Sequence, residues 1–363
     1  MNDSSLNIKG ALESLGYNLS DSGAYWQANA AYRGGDNPTA VQIYKDSGVW
    51  IDYVESTTFS PLYELIKLSL ETSEKKDVDN FIKSHNISIS SDAQSSLVGR
   101  SPQHNKTLEK IFSDSCLDGL KKDYSFYNSK GISSATLSNF SCGVDSKGDM
   151  AGRFTFPIFN KYGKIHGVSG RDISGNKKAK WKHMGTKSKW IYPYYARAQE
   201  NYYPVQEAIQ KDRSVILVES IGDMLSLHEN GHKNVLVTFG LSISSSIICL
   251  LCSLDIDKII ISLNNDKNAS DNRGHDHSIL NYFKLLDYFN YEDIVICLPC
   301  NGKNDFGDMD ASDFKDWKKR LLNRDEDEQA KYILRYFKAN LKNKFKNKSD
   351  VIEKYKDLER FFS

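Results

Sequence analysis

The sequence predicts a multidomain protein of mixed α/β and α+β class. We expect an α/β domain with a central parallel sheet, preceded by a basic α+β subdomain and a small N-terminal β-domain. Three observations predict it. Short apolar runs alternate with helical segments between residues 212 and 320, which is the pattern of a parallel sheet. Two apolar runs joined at Tyr162-Gly163 predict an antiparallel hairpin upstream. A second hairpin pattern lies before residue 54.

Length and composition limit the possible classes. The 363 residues leave room for two or three domains, and 48 basic against 47 acidic side chains give a net charge of +1. A nucleic-acid site must therefore come from local clusters of basic residues. Because there is no run of eighteen apolar residues and no signal peptide, we expect a soluble protein of the cytoplasm (the host's, if the protein is viral) with no membrane partner.

The N-terminal region, residues 1–71, is predicted to be the small β-domain. Ala40–Tyr44 alternates as a strand and returns, through a turn, as Val49–Tyr53, and a helix follows over Leu62–Leu70. Residues 72–104 are charged and then rich in serine, which is typical of a linker.

Residues 105–211 are predicted to form the basic subdomain. Its hairpin is followed by a segment, residues 175–194, in which lysines alternate with aromatic residues. Cations can meet phosphates while aromatic faces stack on bases, although a lysine-rich solvated loop beside core aromatics explains the pattern about as well. Arginines beside glycines at strand ends favour the nucleic-acid interpretation. The predicted nucleic-acid or substrate contacts are Arg153, Lys161, Arg171, Lys180 and Lys182.

Acidic or amide side chains follow three of the four predicted strands between residues 212 and 320. Strand Val215–Val218 ends at Glu219, with Asp223 just beyond, and the third strand, 257–263, ends in Asn264-Asn265-Asp266. The fourth strand, 293–298, leads to Asp305 and Asp308. Since the carboxyl ends of parallel strands meet at one edge of a sheet, these groups should lie together.

Such a group of carboxylates repels itself unless a hard cation neutralises it, which predicts Mg²⁺ or Mn²⁺. Any one of these carboxylates alone could be a helix cap or a surface charge, but three clusters at successive strand ends favour a metal site. Glu219 could accept a proton from an attacking hydroxyl. The predicted catalytic residues are Glu219, Asp223 and Asp266. The predicted metal ligands are Glu219, Asn264, Asp266, Asp305 and Asp308.

Two Cys-x-x-Cys pairs have the spacing of zinc ligands, Cys249 with Cys252 and Cys297 with Cys300. The first pair lies in an apolar helical run and Cys297 in a core strand. Buried cysteines commonly behave as small apolar side chains, so we expect no zinc here. The remaining residues, 321–363, are predicted to be a charged helical tail with an apolar stripe.

The acidic motifs resemble those of the Toprim domain, which bacterial-type primases share with topoisomerases and some nucleases. The matching segments are Glu219-Ser-Ile-Gly-Asp223, Asn264-Asn-Asp266 and Lys303-Asn-Asp305-Phe-Gly-Asp308-Met. The hairpin Arg153–Arg171 with Lys180-Trp-Lys-His, and the entry Tyr127–Ser133, resemble the basic subdomain that precedes Toprim in bacterial and phage primases. The resemblance covers about residues 105 to 312 and looks most like the primases of T4-like phages.

The resemblance implies a DNA primase that makes short RNA primers from ribonucleoside triphosphates on single-stranded DNA, with Mg²⁺ or Mn²⁺, during phage replication. Because no P-loop motif is present, it also implies a separate hexameric replicative helicase as partner, engaged through the C-terminal helices. Two departures stand out. Asn264 replaces the first aspartate of the family's second motif. The N-terminal hairpin resembles the family's zinc ribbon but lacks every ligand, which implies a metal-free remnant.

Two other functions stay open. A Toprim nuclease would use the same carboxylates to cleave a phosphodiester, although the basic-aromatic segment speaks against it. A catalytically weak adaptor that binds single-stranded DNA or the helicase would account for Asn264 and for the missing zinc ligands. A topoisomerase fits least, because the length leaves no room for strand-passage domains.

Overall fold

The computed structural model describes residues 3–35, 37–53, 59–87, 98, 110–176, 179–196, 204–266, 272–345 and 348–362. The chain divides into two compact units, Met1–Thr107 and Leu108–Ser363. The division falls close to the end of the predicted linker. The finer boundaries at residues 71, 211 and 320 stay predictions.

The first unit contains an antiparallel sheet with helices before and after it. The sheet has the order β1-β2-β3-β4, and the predicted hairpin is confirmed by the pairing of Ile43 with Trp50. The elements are α1 Asp3–Ser14, β1 Ser20–Asp21, β2 Tyr25–Ala28, β3 Val41–Tyr44, β4 Trp50–Asp52, α2 Leu62–Ser69 and α3 Lys75–Ser84.

Helix α3 corrects the predicted linker of residues 72–104. Val78 is fully buried in the core of the first unit, and Phe81 and Ile82 pack against that core. The spacing of these apolar residues gives α3 one face that must be covered. Residues 75–87 are therefore part of the first unit, and the serine-rich part of the predicted linker lies almost wholly outside the described residues.

A buried ion pair joins the turn before β3 to the end of β4. The side chain of Asp52 is fully buried, and Arg33 donates to it from Nε at 2.8 Å and from Nη2 at 3.2 Å. The Tyr32 hydroxyl donates to the same carboxylate at 2.9 Å. Residues 1–87 contain no cysteine, so a thiolate-bound zinc does not fit this part of the chain. A charge-assisted cross-link ties these segments together instead.

We expect Arg33→Met to destabilise the first unit by about 3 kcal/mol, because it leaves a buried carboxylate without its cation. Lys45→Met is the matched control, since the Lys45–Asp21 pair lies at the surface and should contribute less than about 1 kcal/mol. Hydrogen exchange of β3 and β4 amides measures both. A zinc-selective chelator should leave this exchange unchanged, and faster exchange after chelation would contradict a metal-free unit.

The second unit begins with an antiparallel sheet of order β5-β6-β7-β8-β9. The predicted hairpin is confirmed: β7 and β8 pair from Arg153–Asp172 to Phe159–Ile165. The lysine-rich segment supplies the next strand, β9. The elements are β5 Leu120–Lys121, α4 Ser125–Asn128, α5 Ser134–Ser138, β6 Gly143–Asp145, β7 Arg153–Phe159, β8 Ile165–Asp172 and β9 Trp181–Gly185.

A parallel sheet of order β11-β10-β12-β13 follows, as predicted. Its strands consist mainly of valine, isoleucine and leucine because helices cover both faces. Tyr192 bridges to Val237, and residues of both sheets share one core. The elements are α6 Pro204–Asp212, β10 Ser214–Val218, α7 Ile221–Glu229, β11 Val235–Val237, α8 Ser245–Leu251, β12 Lys258–Ile261, α9 Arg273–Leu285, β13 Ile294–Ile296 and α10 Ala311–Leu322.

The C-terminal segment is not a peripheral tail. It comprises α11 Glu326–Tyr336, a π-helical turn Phe337–Leu341 and α12 Ser349–Phe361. Its apolar stripe, which includes Ile333, is buried in the same core as strands β10, β12 and β13. The stripe was predicted, but its partner was not, because periodicity shows that a face is covered and not what covers it.

The predicted burial of the cysteines is confirmed for one pair only. Cys297 and Cys300 are buried, whereas Cys249 and Cys252 are exposed. The isoleucines and leucines of α8 are buried. Cys249 on the helix and Cys252, which caps its C-terminal end, are three residues apart and lie on the opposite side. Among the described residues no helix is long and apolar enough to cross a membrane.

Candidate active site

An open cleft of about 440 Å³ lies where the carboxyl edge of the parallel sheet faces strands β8 and β9. Glu219, Asn264, Asp305 and Asp308 line it on the side of the parallel sheet. The opposite wall includes Arg171, Lys180, Trp181 and His183. The predicted acidic and basic segments therefore meet in one cleft.

Glu219 follows β10 directly, and the charges of two other acidic residues affect its pKa. Burial raises the pKa of its carboxyl, and the neighbouring charges of Asp266 and Asp305 raise it further. Arg273, at the start of α9, and Lys180 oppose this rise. A carboxylate with a raised pKa, open to a cleft, is suited to accept a proton or to bind a cation.

Asp223 is a buried residue of the cleft lining, and its hydrogen bonds connect two of the acidic motifs. Its side chain is 2% exposed. Oδ2 accepts from the Ser220 hydroxyl at 2.7 Å and from the Ser220 amide at 3.1 Å, which caps α7. Oδ1 accepts from the Phe306 amide at 3.1 Å. Asp223 therefore connects the first and third acidic motifs, and the catalytic role predicted for it stays a prediction.

The loop after β12 brings Asn264 and Asp266 to the site. Asn264 lines the cleft, while Asp266 does not line it but acts on Glu219 through its charge. The loop is held by Asn265, whose Nδ2 donates to the Pro299 carbonyl at 2.8 Å. The amide of Asn265 also donates to the Asn304 carbonyl at 2.7 Å. These hydrogen bonds of Asn265 were not predicted, because no sequence motif distinguishes it from its two neighbours, Asn264 and Asp266.

Asp305 and Asp308 sit on a single 3₁₀ turn. Asp305 caps it by accepting from the Asp308 amide at 3.1 Å. Burial raises the pKa of Asp305, and the charge of Asp308 adds to the rise. Asp308 is exposed and lines the cleft.

The donor set fits a hard divalent cation that keeps most of its waters. Within the described ranges, no three acidic, histidine or cysteine side chains come close enough together to hold a metal by themselves. Mg²⁺ does not require this, since it commonly binds one or two carboxylates and takes waters and phosphate oxygens for the rest. Burial is the main cause of the raised pKa of Glu219 and of Asp305, and the charges of neighbouring carboxylates add to it in both cases. A bound cation would offset that repulsion.

Two of the five predicted basic contacts lie at the cleft. The Arg171 guanidinium stacks over the Trp181 ring, with its carbon 5.6 Å from the ring centre. Lys180 is exposed just before β9, and its charge acts on both Glu219 and Asp305. These side chains place positive charge and an aromatic ring opposite the carboxylates.

The other three do not lie there. Arg153 is 5% exposed, and its Nη1 donates to the carbonyls of Gly170 and Ala179, so it supports β8 and does not present itself to a phosphate. Lys182 donates to Asp149 on the other face of β9. Lys161 is exposed in the β7–β8 turn, about 20 Å along β8 from Arg171 by strand rise.

No sequence motif assigned Lys187 or His183 to the site, but both lie near it in the structure. The Lys187 ammonium donates to the Phe239 carbonyl at 3.2 Å. Burial lowers the pKa of Lys187, and the charge of Glu219 partly restores it. Burial, with Lys187 nearby, lowers the pKa of His183 to about 4, so its ring is neutral at pH 7. The proximity of Lys187 to Glu219 depends on how the two sheets pack, which no local motif encodes.

We expect the stability of the metal-free protein to fall as pH rises from about 4 to about 7. Burial and the charge of Asp305 raise the pKa of Asp223 from 3.8 to about 7. The unfolded chain therefore binds fewer protons than the folded one in that interval, and stability decreases by up to about 4 kcal/mol. Denaturant unfolding in EDTA at several pH values measures it. Asp223→Asn should flatten the profile, and an equally steep profile in that variant would contradict the assignment.

Comparison with known proteins agrees with this geometry. Residues 216–276 match a family model described as Toprim-like. A DNA primase of Rickettsia prowazekii (strain Madrid E) is 28% identical over 244 residues, which are 63% of this chain and 37% of that protein. A DNA primase of Borreliella burgdorferi is 31% identical over 153 residues, 39% of this chain and 27% of that protein. The chain spans only 37% of the length of the first of these relatives.

Two solved structures are also similar. One is an Aquifex aeolicus primase comprising zinc-binding and RNA polymerase domains, with a TM-score of 0.45, 15% identity and 98% of each chain covered. The other is the Escherichia coli primase catalytic core, with a TM-score of 0.42, 16% identity, and 55% of this chain and 72% of that chain covered. The sequence matches confirm the resemblance to bacterial-type Toprim primases, and the likeness to phage enzymes stays a prediction.

Proposed function

We propose that this chain is a DNA primase, a template-dependent polymerase that makes short RNA primers on single-stranded DNA. One observation carries the proposal: carboxylates at the edge of the parallel sheet and cations beside a partly buried aromatic ring share a single open cleft. Phosphoryl transfer needs both parts. Acidic groups hold a cation that offsets the charge of phosphates, and basic groups hold the nucleic acid.

Ribonucleoside triphosphates and a single-stranded DNA template are the proposed substrates. The proposed metal is Mg²⁺, or Mn²⁺ in its place, held by Glu219, Asp305 and Asp308, with Asn264 and Asp266 as further oxygen donors. A cation bound there would offset charge on the triphosphate and lower the pKa of the attacking 3′-hydroxyl. Glu219 would accept the proton of that hydroxyl.

The opposite wall orients the polymer. Arg171 and Lys180 contact phosphates of the template or of the incoming nucleotide, and Trp181 offers a ring that limits how a base can lie. A separate hexameric replicative helicase is the proposed partner. Since the apolar stripe of the C-terminal helices is buried, such a partner would have to use their outer faces.

Primer synthesis on single-stranded DNA, followed with labelled ribonucleotides and Mg²⁺, tests the proposal. Products that require template, ribonucleotides and metal together support it. Plasmid and single-stranded DNA incubated under the same conditions provide the second assay. Cleavage of either, without synthesis, would identify a Toprim nuclease instead.

We expect Lys180→Met to weaken template binding and primer synthesis roughly 10-fold, because a cation facing the phosphates is lost. Lys182→Met is the matched control. It changes the same residue type two positions further along the chain, inside β9, where the ammonium pairs with Asp149 on the other face. Fluorescence anisotropy with a labelled oligonucleotide at several salt concentrations compares the two. Equal losses in both variants would place the DNA elsewhere.

A second candidate function is a binding protein with little or no catalysis. Its specific support is Asn264, which supplies no charge, together with the finding that no three acidic, histidine or cysteine side chains of the described residues could hold a metal by themselves. Tight binding of single-stranded DNA without primer synthesis at any Mg²⁺ or Mn²⁺ concentration would favour it.

A further inference from the structure

The C-terminal segment makes polar contacts with helix α9, which packs against the second acidic motif. Helix α9 begins at Arg273, seven residues after Asp266. Its second residue, Gly274, lies so close to Asn264 that an added Cβ would be 1.9 Å from the Asn264 carbonyl oxygen. The first turn of α9 and the backbone of the metal-site loop are therefore in direct contact, and a shift of one displaces the other.

Asp276 lies in that first turn and is only 4% exposed. Its Oδ1 accepts from the Tyr336 hydroxyl at 3.1 Å, and its Oδ2 accepts from the Lys344 ammonium at 3.2 Å. Both partners belong to the C-terminal segment, 60 and 68 residues further along the chain. Beside them, His275 Nε2 and the Tyr332 hydroxyl are 3.2 Å apart.

These contacts do more than add stability in general. The apolar stripe already anchors α11 and the π-helical turn to the core. A buried carboxylate is costly unless it is paired, so Asp276 fixes the C-terminal segment against one place on α9. Asp276 lies two residues after Gly274, and Gly274 is the residue that touches the backbone of Asn264.

We propose that the C-terminal segment is a brace for the metal-binding edge, with Asp276, Tyr336 and Lys344 as positioning residues. The inference rests on the proposed function for its meaning, but not for its test. Because the brace fixes the first turn of α9, it also fixes the loop after β12, which carries Asn264 and Asp266. Weakening it should lower affinity for the divalent cation without removing any donor.

Mn²⁺ binding, measured by the electron paramagnetic resonance signal of the free ion, tests this without an activity assay. We expect Lys344→Met and Tyr336→Phe in the full chain to raise the half-saturating Mn²⁺ concentration roughly 3- to 10-fold. This is less than the roughly 10- to 100-fold that direct partners of metal ligands contribute, because these residues act one contact further away. Lys344→Arg should restore binding. Lys338→Met is the matched control, because its ion pair with Glu359 lies within the C-terminal segment.

Hydrogen exchange in the first turn of α9 separates positioning from loss of the fold. We expect faster exchange there in Lys344→Met, with protection of β10 and β12 unchanged. If Lys344→Met and Lys338→Met have the same Mn²⁺ affinity, the brace is refuted. If the variants differ as expected while the wild-type protein makes no primer, the brace stands and the proposed polymerase activity fails.

Discussion

Glu219→Gln is expected to lower primer synthesis by about 10³-fold or more while the protein stays folded and still binds single-stranded DNA. The amide is nearly the same size, but it cannot accept a proton and is a poorer cation ligand, and both roles fall on this position. Stability should not suffer. The carboxylate is half-buried, and after burial itself the charges of Asp266 and Asp305 raise its pKa, so its removal relieves repulsion.

The measurement compares initial rates of primer synthesis with oligonucleotide affinity and the unfolding midpoint. Glu207→Gln is the control, since it makes the same change at an exposed position on α6, away from the cleft. Full activity in Glu219→Gln would remove the residue from the catalytic centre. Loss of activity together with loss of DNA binding would instead indicate that the variant disturbs the cleft as a whole.

The acidic half of this cleft could be predicted because one rule of parallel sheets determines it. Strands that run in the same direction end at the same edge, so Glu219, Asn264 and Asp305 were expected together before any contact was known. Asp223 shows where that rule stops. Its position at the edge was predicted, but its hydrogen bond from the Phe306 amide, 83 residues away, belongs to the tertiary structure.

The basic half was harder to predict, because side-chain direction depends on pairing. Lys180 and Lys182 look equivalent as members of a lysine-rich run, yet only Lys180 lines the cleft. Alternation along β9 places Lys182 on the face opposite Trp181 and His183. It does not place Lys180, which lies just before the strand begins. For Arg153 no such signal existed. Its burial follows from the register of β7 against β8, which places its side chain under the Gly170 and Ala179 carbonyls.

Gly274→Ala is expected to lower both stability and activity, although alanine is ordinarily the better residue in a helix. The added Cβ would lie 1.9 Å from the Asn264 carbonyl oxygen and 2.7 Å from its carbon. Both are backbone atoms, so no side-chain rotation can relieve the contact. Helix α9 or the loop after β12 must move. We expect a loss of about 2 kcal/mol from the overpacking and a fall of roughly 10²-fold in primer synthesis from misplaced donors.

Gly222→Ala is the matched control for stability. Gly222 occupies the equivalent second position of α7, but its added Cβ would meet only the Ser220 hydroxyl, at 3.4 Å. Helix propensity should then dominate, leaving the protein as stable as the wild type or up to about 1 kcal/mol more so. Denaturant unfolding of the two variants therefore separates a steric effect at Asn264 from the general effect of alanine in a first helical turn. If both variants gain stability, α9 does not press on the metal-site loop, and neither the expected loss of activity nor the brace on α9 has a physical basis.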